Sequence, residues 1–145
     1  MTNFQPADEE FEIRVRSSFE RQQVMQHIGA EMTFVTAGEI HIDLPYSETL
    51  TQHHGYLHAG IVTIIVDSAC GYAAYTLMPV NSEVLTVEFK VNFLAPARGE
   101  RFIAIGNVIK PGRTLTVCCG KVLAVSNGEE KLIATIQATM MAVTN

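Results

Sequence analysis

Apolar and polar positions alternate along the chain in two different rhythms, and the rhythms predict its elements. From Phe11 to His27 the side chains Phe11, Val15, Phe19, Val24 and, just beyond, Ile28 recur at about helical spacing, which predicts one short surface helix. Gly29 follows as its stop, because glycine readily takes the left-handed conformation that ends helices. Ala30 to Leu44 reads as two strand pieces around Ala37-Gly38, and Glu39 to Leu44 alternates polar and apolar as a half-buried strand does. Pro45 to Gly55 is polar and reads as a loop.

Ala59 to Leu77 follows another rule. Its apolar residues, among them Ile61, Val62, Ile65, Ala69, Cys70 and Tyr72, cover almost every face of a helix. A helix that is apolar all round is a buried one. Pro79 lies just beyond its end. Then the period falls to two. Leu85, Val87, Phe89, Val91 and Phe93 alternate with Thr86, Glu88, Lys90 and Asn92, the cleanest strand pattern in the chain. Further strands are predicted over 101–109, 114–125 and 132–143. Lys110 to Arg113 is a turn between two of them, and Asn127-Gly128 is a tight hairpin turn. Strands joined by short turns make an antiparallel sheet, so the fold class is α+β, and the apolar helix over about 59–77 needs a cover that one strongly curved sheet could provide.

With 145 residues, 48% of them apolar, and no repeat or linker, the chain is expected to form one domain over 1–145, with residues 1–10 as a loose arm. A net charge of −5 argues against a nucleic-acid partner, which would need a basic face. No apolar run is long enough to cross a membrane, and the acidic start is unlike a signal peptide. Cys70, Cys118 and Cys119 are too few for a disulfide framework, and a reduced, cytoplasmic protein is expected.

One ionisable carboxylate, Asp67, interrupts the apolar helix. A carboxylate in such surroundings is costly and needs a reason. It is either a structural group held by backbone hydrogen bonds or a base or nucleophile tuned by burial. The small residues of His58-Ala59-Gly60 favour the second reading, since they let a ligand reach the free N–H groups at the helix start. Those donors, with the positive end of the helix dipole, suit a developing oxyanion. His58 and Asp67 would stand roughly 13 Å apart along one helix, too far to serve one carbonyl together. The chemistry therefore asks for a second subunit.

Gln52-His53-His54-Gly55-Tyr56-Leu57-His58-Ala59-Gly60, followed by Asp67 and Gly71, resembles the hot-dog-fold acyl-CoA thioesterases of the PaaI type, within the 4-hydroxybenzoyl-CoA thioesterase superfamily. Gln52, His58 and Asp67 keep that family's spacing of a polar amide, a His-Gly-Gly turn and an acid. The likeness continues through 84–89, 93–100 and 112–114, and covers roughly residues 28–143. In one departure, Ala59 stands where the family has its first turn glycine.

The resemblance implies a homodimer with edge-to-edge sheets, pairing into a dimer of dimers, with active sites at the dimer interface. By the same likeness, Asp67 is the general base or the nucleophile and the Ala59 N–H is the oxyanion donor. Gln52 orients water or carbonyl, His58 holds the turn or helps bind the thioester, and Thr86 matches a hydroxyl that positions water. Gly60 belongs to the substrate-binding turn. Arg113, then Lys90 and Arg98, are candidates for the phosphates of coenzyme A, which is part of the substrate, so no separate cofactor is implied. Tyr72, Tyr75, Met78 and Phe93 are candidate acyl-chain liners that read first as core.

Other chemistries fit less well. His54 and His58 are spaced like two metal ligands on a helix, but Gly55 marks a loop and no third ligand is arranged, so no metal is expected. No Gly-x-Ser-x-Gly elbow occurs, and Cys70 lacks an activating base. A hot-dog dehydratase would want a His base near a carboxylate. A non-catalytic acyl-CoA-binding module remains as the alternative from another class.

Overall fold

The computed structural model describes residues 3–144. Helices α1 (Phe11–Glu20) and α2 (Gln23–Ile28) precede strands β1 (Glu31–Thr36) and β2 (Glu39–Pro45). A short 3-10 turn (Glu48–Leu50) leads to the long helix α3 (Ala59–Tyr75). Strands β3 (Ser82–Phe93), β4 (Arg101–Lys110), β5 (Leu115–Ser126) and β6 (Glu129–Thr144) complete the chain. All pairings are antiparallel, in the order β1-β2-β4-β5-β6-β3.

The sheet carries α3 against β2 to β6, and the core lies between them. Val62, Ile65, Val66, Ala69 and Cys70 of α3 meet Ile40, Ile42, Phe102, Val122 and Met140 of the sheet, all essentially out of solvent. Each fully buried Val, Ile, Leu or Phe stabilises the fold by about 1.5–3 kcal/mol relative to exposure. Two glycines paired across β4 and β5, Gly106 and Gly120, let the helix sit this close. A Cβ on Gly106 would fall 2.3 Å from the Ala69 carbonyl carbon, and one on Gly120 would fall 3.0 Å from the Cys70 sulfur. The helix is thus seated on the sheet within a turn of Asp67.

Several expectations need correction. The single helix expected from Phe11 to His27 is two, broken at Arg21-Gln22, where Gln22 takes an extended conformation. On an unbroken helix six residues turn through about 600°, aiming Met25 away from the face of Phe19. The break re-aims α2 so that Met25 and Ile28 join Val15 and Phe19 in the core. Gly29 ends α2 in the left-handed conformation, as expected. The expected loose arm is docked over its described part. Phe4 packs on Gly38, and Asp8 pairs with Arg14 at 3.0 Å. Met1 and Thr2 lie outside the described residues. Helix α3 ends at Tyr75, two residues short of the expected Leu77, and Leu77 and Met78 continue as turns.

The post-helix strands do not pair simply in order. β3 pairs with β6 alone, and residues 94–100 carry the chain from the sheet edge to β4 in its interior. The clean alternation of β3 is also interrupted, by a bulge between Thr86 and Glu88. Before it, Val84 and Thr86 lie opposite Ala142 and Met140 on the helix side. After it, Phe89, Val91 and Phe93 take that side, opposite Ala138, Ile136 and Ala134. One extra residue exchanges the faces. Without it, either Thr86 or the later apolar residues would face the wrong way. The hairpin turn forms as expected, with Asn127 at φ 51° and Gly128 at 77°.

Candidate active site

His58 is the N-cap of α3, and its Nδ1 accepts a hydrogen bond from the Gly60 N–H at 2.8 Å. The N–H groups of Ile61 and Val62 both reach the His58 carbonyl. That leaves the Ala59 N–H, alone in the first turn, without an acceptor among the described residues. It sits where the helix dipole is positive. Ala59 does not take positive φ, so the departure from glycine costs the turn nothing. His58 therefore holds the turn by occupying the neighbouring donor. A Cβ on Gly60 would lie only 3.0 Å from its Nδ1, so the glycine keeps room for this cap.

Gln52 and Ala59 line a mostly apolar cavity of about 470 Å³, with Tyr56, Val62, Phe93 and Pro96. The Gln52 Oε1 accepts from the backbone N–H of His54 at 2.5 Å and of Tyr56 at 3.3 Å. Its carbonyl is committed to holding the loop, and its amide N–H groups have no acceptor among the described residues. Gln52 is thereby set up to donate to a ligand rather than to accept from one.

Asp67 stands in a separate, smaller cavity of about 180 Å³, with Thr86, Ser68, Tyr72, Ser18 and Gln22 among its walls. Burial raises the Asp67 pKa from the ordinary carboxylate value, and the Thr86 hydroxyl, donating to Oδ1 at 2.9 Å, opposes the rise. Ala59 and Asp67 are separated by about 12 Å of helix, at about 1.5 Å per residue. The protomer thus holds the unpaired helix-start N–H and the buried carboxylate in different cavities.

The three candidate cations are not equivalent. Arg98 donates to the Tyr56 hydroxyl at 3.1 Å and lies over its ring, beside the Gln52 cavity. Arg113 is exposed in the β4–β5 turn and lines neither cavity. Lys90 pairs in register with Gln137 on the sheet face turned away from α3. Of the candidate acyl liners, Tyr72, Tyr75 and Met78 are buried in the core, while Phe93 is half exposed in the Gln52 cavity. Burial raises the Cys70 thiol pKa far above its usual range and pushes that of Cys118 up to about 12, which unfits both as nucleophiles. Sequence reasoning missed Ser18, Gln22 and Tyr56. No spacing in the sequence links Ser18 or Gln22 to Asp67, because only the docking of α1 brings them together.

A curved antiparallel sheet round one helix, with an acid inside that helix and a free N–H at its start, defines the hot-dog fold of thioesterases. The family model described as the thioesterase superfamily matches residues 54–131, and the chain belongs to that family. It is similar to the crystal structure of a thioesterase family protein from Silicibacter pomeroyi, with 52% identity, a TM-score of 0.92, and coverage of 93% of this chain and 99% of that one. The PaaI protein of E. coli, from the phenylacetic acid degradation operon, shares the fold at 14% identity, with a TM-score of 0.85 over 96% of this chain and 97% of that one. The 1,4-dihydroxy-2-naphthoyl-CoA hydrolase of Listeria monocytogenes is 24% identical over 81% of this chain and 93% of its own length.

Proposed function

We propose that the protein hydrolyses the thioester of an acyl-CoA to free acid and coenzyme A, at a site completed by a second copy of the chain. The observation that carries this reading is the division of labour along α3. The unpaired Ala59 N–H and the burial-tuned Asp67 lie about 12 Å apart in separate cavities, so one carbonyl can meet both only if they come from different protomers.

The edge of the sheet supports such a pairing. β3 offers a free edge along twelve residues, with Leu85, Val87, Phe89 and Phe93 exposed. A long apolar edge strand is a template for another strand. Pairing β3 with its copy would continue the sheet and bring the partner's helix start toward this Asp67. On the outer face, Leu85, Met141 and Leu115 form an apolar row across three strands, suited to cover by a second dimer.

In the reaction, the Ala59 N–H and the Gln52 amide polarise the thioester carbonyl of a substrate lying across the seam. The partner's Asp67 carboxylate either takes a proton from water or attacks the carbonyl carbon itself, giving an anhydride that water opens. In both routes the carbon–sulfur bond breaks, water oxygen ends on the acid, and a proton ends on the thiol. Thr86 orients the carboxylate through its hydrogen bond. Arg98, bonded to Tyr56 at the border of the Gln52 cavity, is the cation we assign to the phosphates of coenzyme A. The Listeria relative, whose name makes it a CoA-thioester hydrolase, supports coenzyme A as the thiol.

The test is thiol release from a panel of acyl-CoA thioesters. Turnover of at least one member is expected. Tight binding with no free thiol would replace this reading with that of a binding module.

A further inference from the structure

The acid's cavity has a wall that neither the sheet nor α3 provides. Ser18 of α1 and Gln22 of the break between α1 and α2 line it together with Asp67. Both are docked on the buried hydroxyl of Tyr72: Ser18 Oγ shares a hydrogen bond with it at 3.1 Å, and the Gln22 amide donates to it at 2.9 Å. The extended conformation of Gln22, which breaks the helix, is what brings its side chain to Tyr72. At the far end of α1 a second latch holds the helix down, where Arg14 donates to the carbonyls of Tyr75 and Met78. The wall is therefore fixed to the acid-bearing helix at two points.

Charge decides which arm of a thioester enters this cavity. On the proposed reading the coenzyme arm carries its phosphates toward Arg98, which is bonded to Tyr56 at the border of the Gln52 cavity. The acid's cavity holds the carboxylate of Asp67, which repels phosphate when ionised. The acyl arm is left to point toward Ser18 and Gln22. The space there is about 180 Å³, less than half the roughly 470 Å³ of the Gln52 cavity.

We propose that Ser18 and Gln22 are specificity-determining residues that stop the acyl group and restrict the enzyme to compact, short acyl thioesters. The inference rests on the thioesterase reading and adds the substrate's size to it.

The test compares kcat/KM for butanoyl-CoA and octanoyl-CoA in the wild type and in Gln22→Ala, Gln22→Met and Tyr72→Phe. The wild type is expected to favour butanoyl-CoA. Gln22→Ala, by removing the stop, and Tyr72→Phe, by unlatching it, are expected to shift the ratio toward octanoyl-CoA by about tenfold or more, the scale on which a pocket wall discriminates chain length. Gln22→Met, which keeps the bulk, is expected to keep the wild-type order. A wild type that prefers octanoyl-CoA overturns the proposal. So do variants that lose activity on both substrates alike with an unchanged ratio, because a purely structural role for α1 would do that. In both cases the thioesterase reading stands. No thiol release from any thioester would overturn the two together.

Discussion

In the proposed mechanism Asp67 is the residue on which the chemistry turns, and two of its properties can be read separately. As base or nucleophile it must be ionised. Its pKa is raised by burial, so activity should fall on acidification at a pH above that of an ordinary carboxylate. Thr86→Val removes the hydrogen bond that opposes the rise. The acid limb of the pH–rate profile should then move to still higher pH, and an unmoved limb would detach Thr86 from the carboxylate's titration. Asp67→Asn should lower kcat by at least about a hundredfold, measured by thiol release. The same variant should not cost stability. Folded Asp67 binds its proton more tightly than unfolded Asp67, so the stability it contributes is full below the unfolded pKa. That stability is lost as pH rises through the raised one. At neutral pH the amide avoids that loss, and thermal unfolding should show Asp67→Asn at or above the wild type. At this scale the sequence was informative: an isolated acid in an apolar helix is visible without coordinates. The commitment of the Gln52 oxygen to two backbone N–H groups was not, because it depends on how the loop closes.

Among the elements, α3 and β3 carry the site, and they differ in how legible they were. The all-apolar composition of α3 announces burial, and its start and identity follow from that. The β3 pattern announces a strand but conceals the bulge, since residues on both sides of Val87 keep the same alternation in sequence. Only the pairing with β6 shows that Thr86 and Phe89 share a face. The break between α1 and α2 was hidden for a similar reason: no Gly or Pro marks it, and tertiary packing of Met25 and Ile28 selects it. The seating of α3 depends on backbone contact at Gly106. Gly106→Ala would place a methyl group inside the Ala69–Cys70 peptide and push the helix off the sheet. Urea unfolding should show a loss of at least about 1–3 kcal/mol, the usual cost of overpacking a close contact. A loss within experimental error would mean that the helix does not need this approach.

On the proposed reading, one protomer is half of the arrangement the chemistry requires. Within one protomer the sheet ends at β3, whose outer edge has no partner strand among the described residues, and the donor and acid cavities stand apart. The sequence foreshadowed this, because the distance along one helix between its start and its acid is fixed by helical rise alone. What it left open was which edge would join, and the proposed pairing uses β3, the edge with exposed apolar side chains. A monomer in solution, measured by sedimentation at working concentration, would contradict the arrangement outright. The most direct test mixes two defective copies. Asp67→Asn and Gln52→Ala each impair every site of their own homodimer. In a heterodimer of the two, one site receives the intact Asp67 of one copy and the intact Gln52 of the other, while the second site loses both. If the site is shared, the purified heterodimer should recover about half of the wild-type turnover. A heterodimer no more active than the better of the two homodimers would show that each chain works alone.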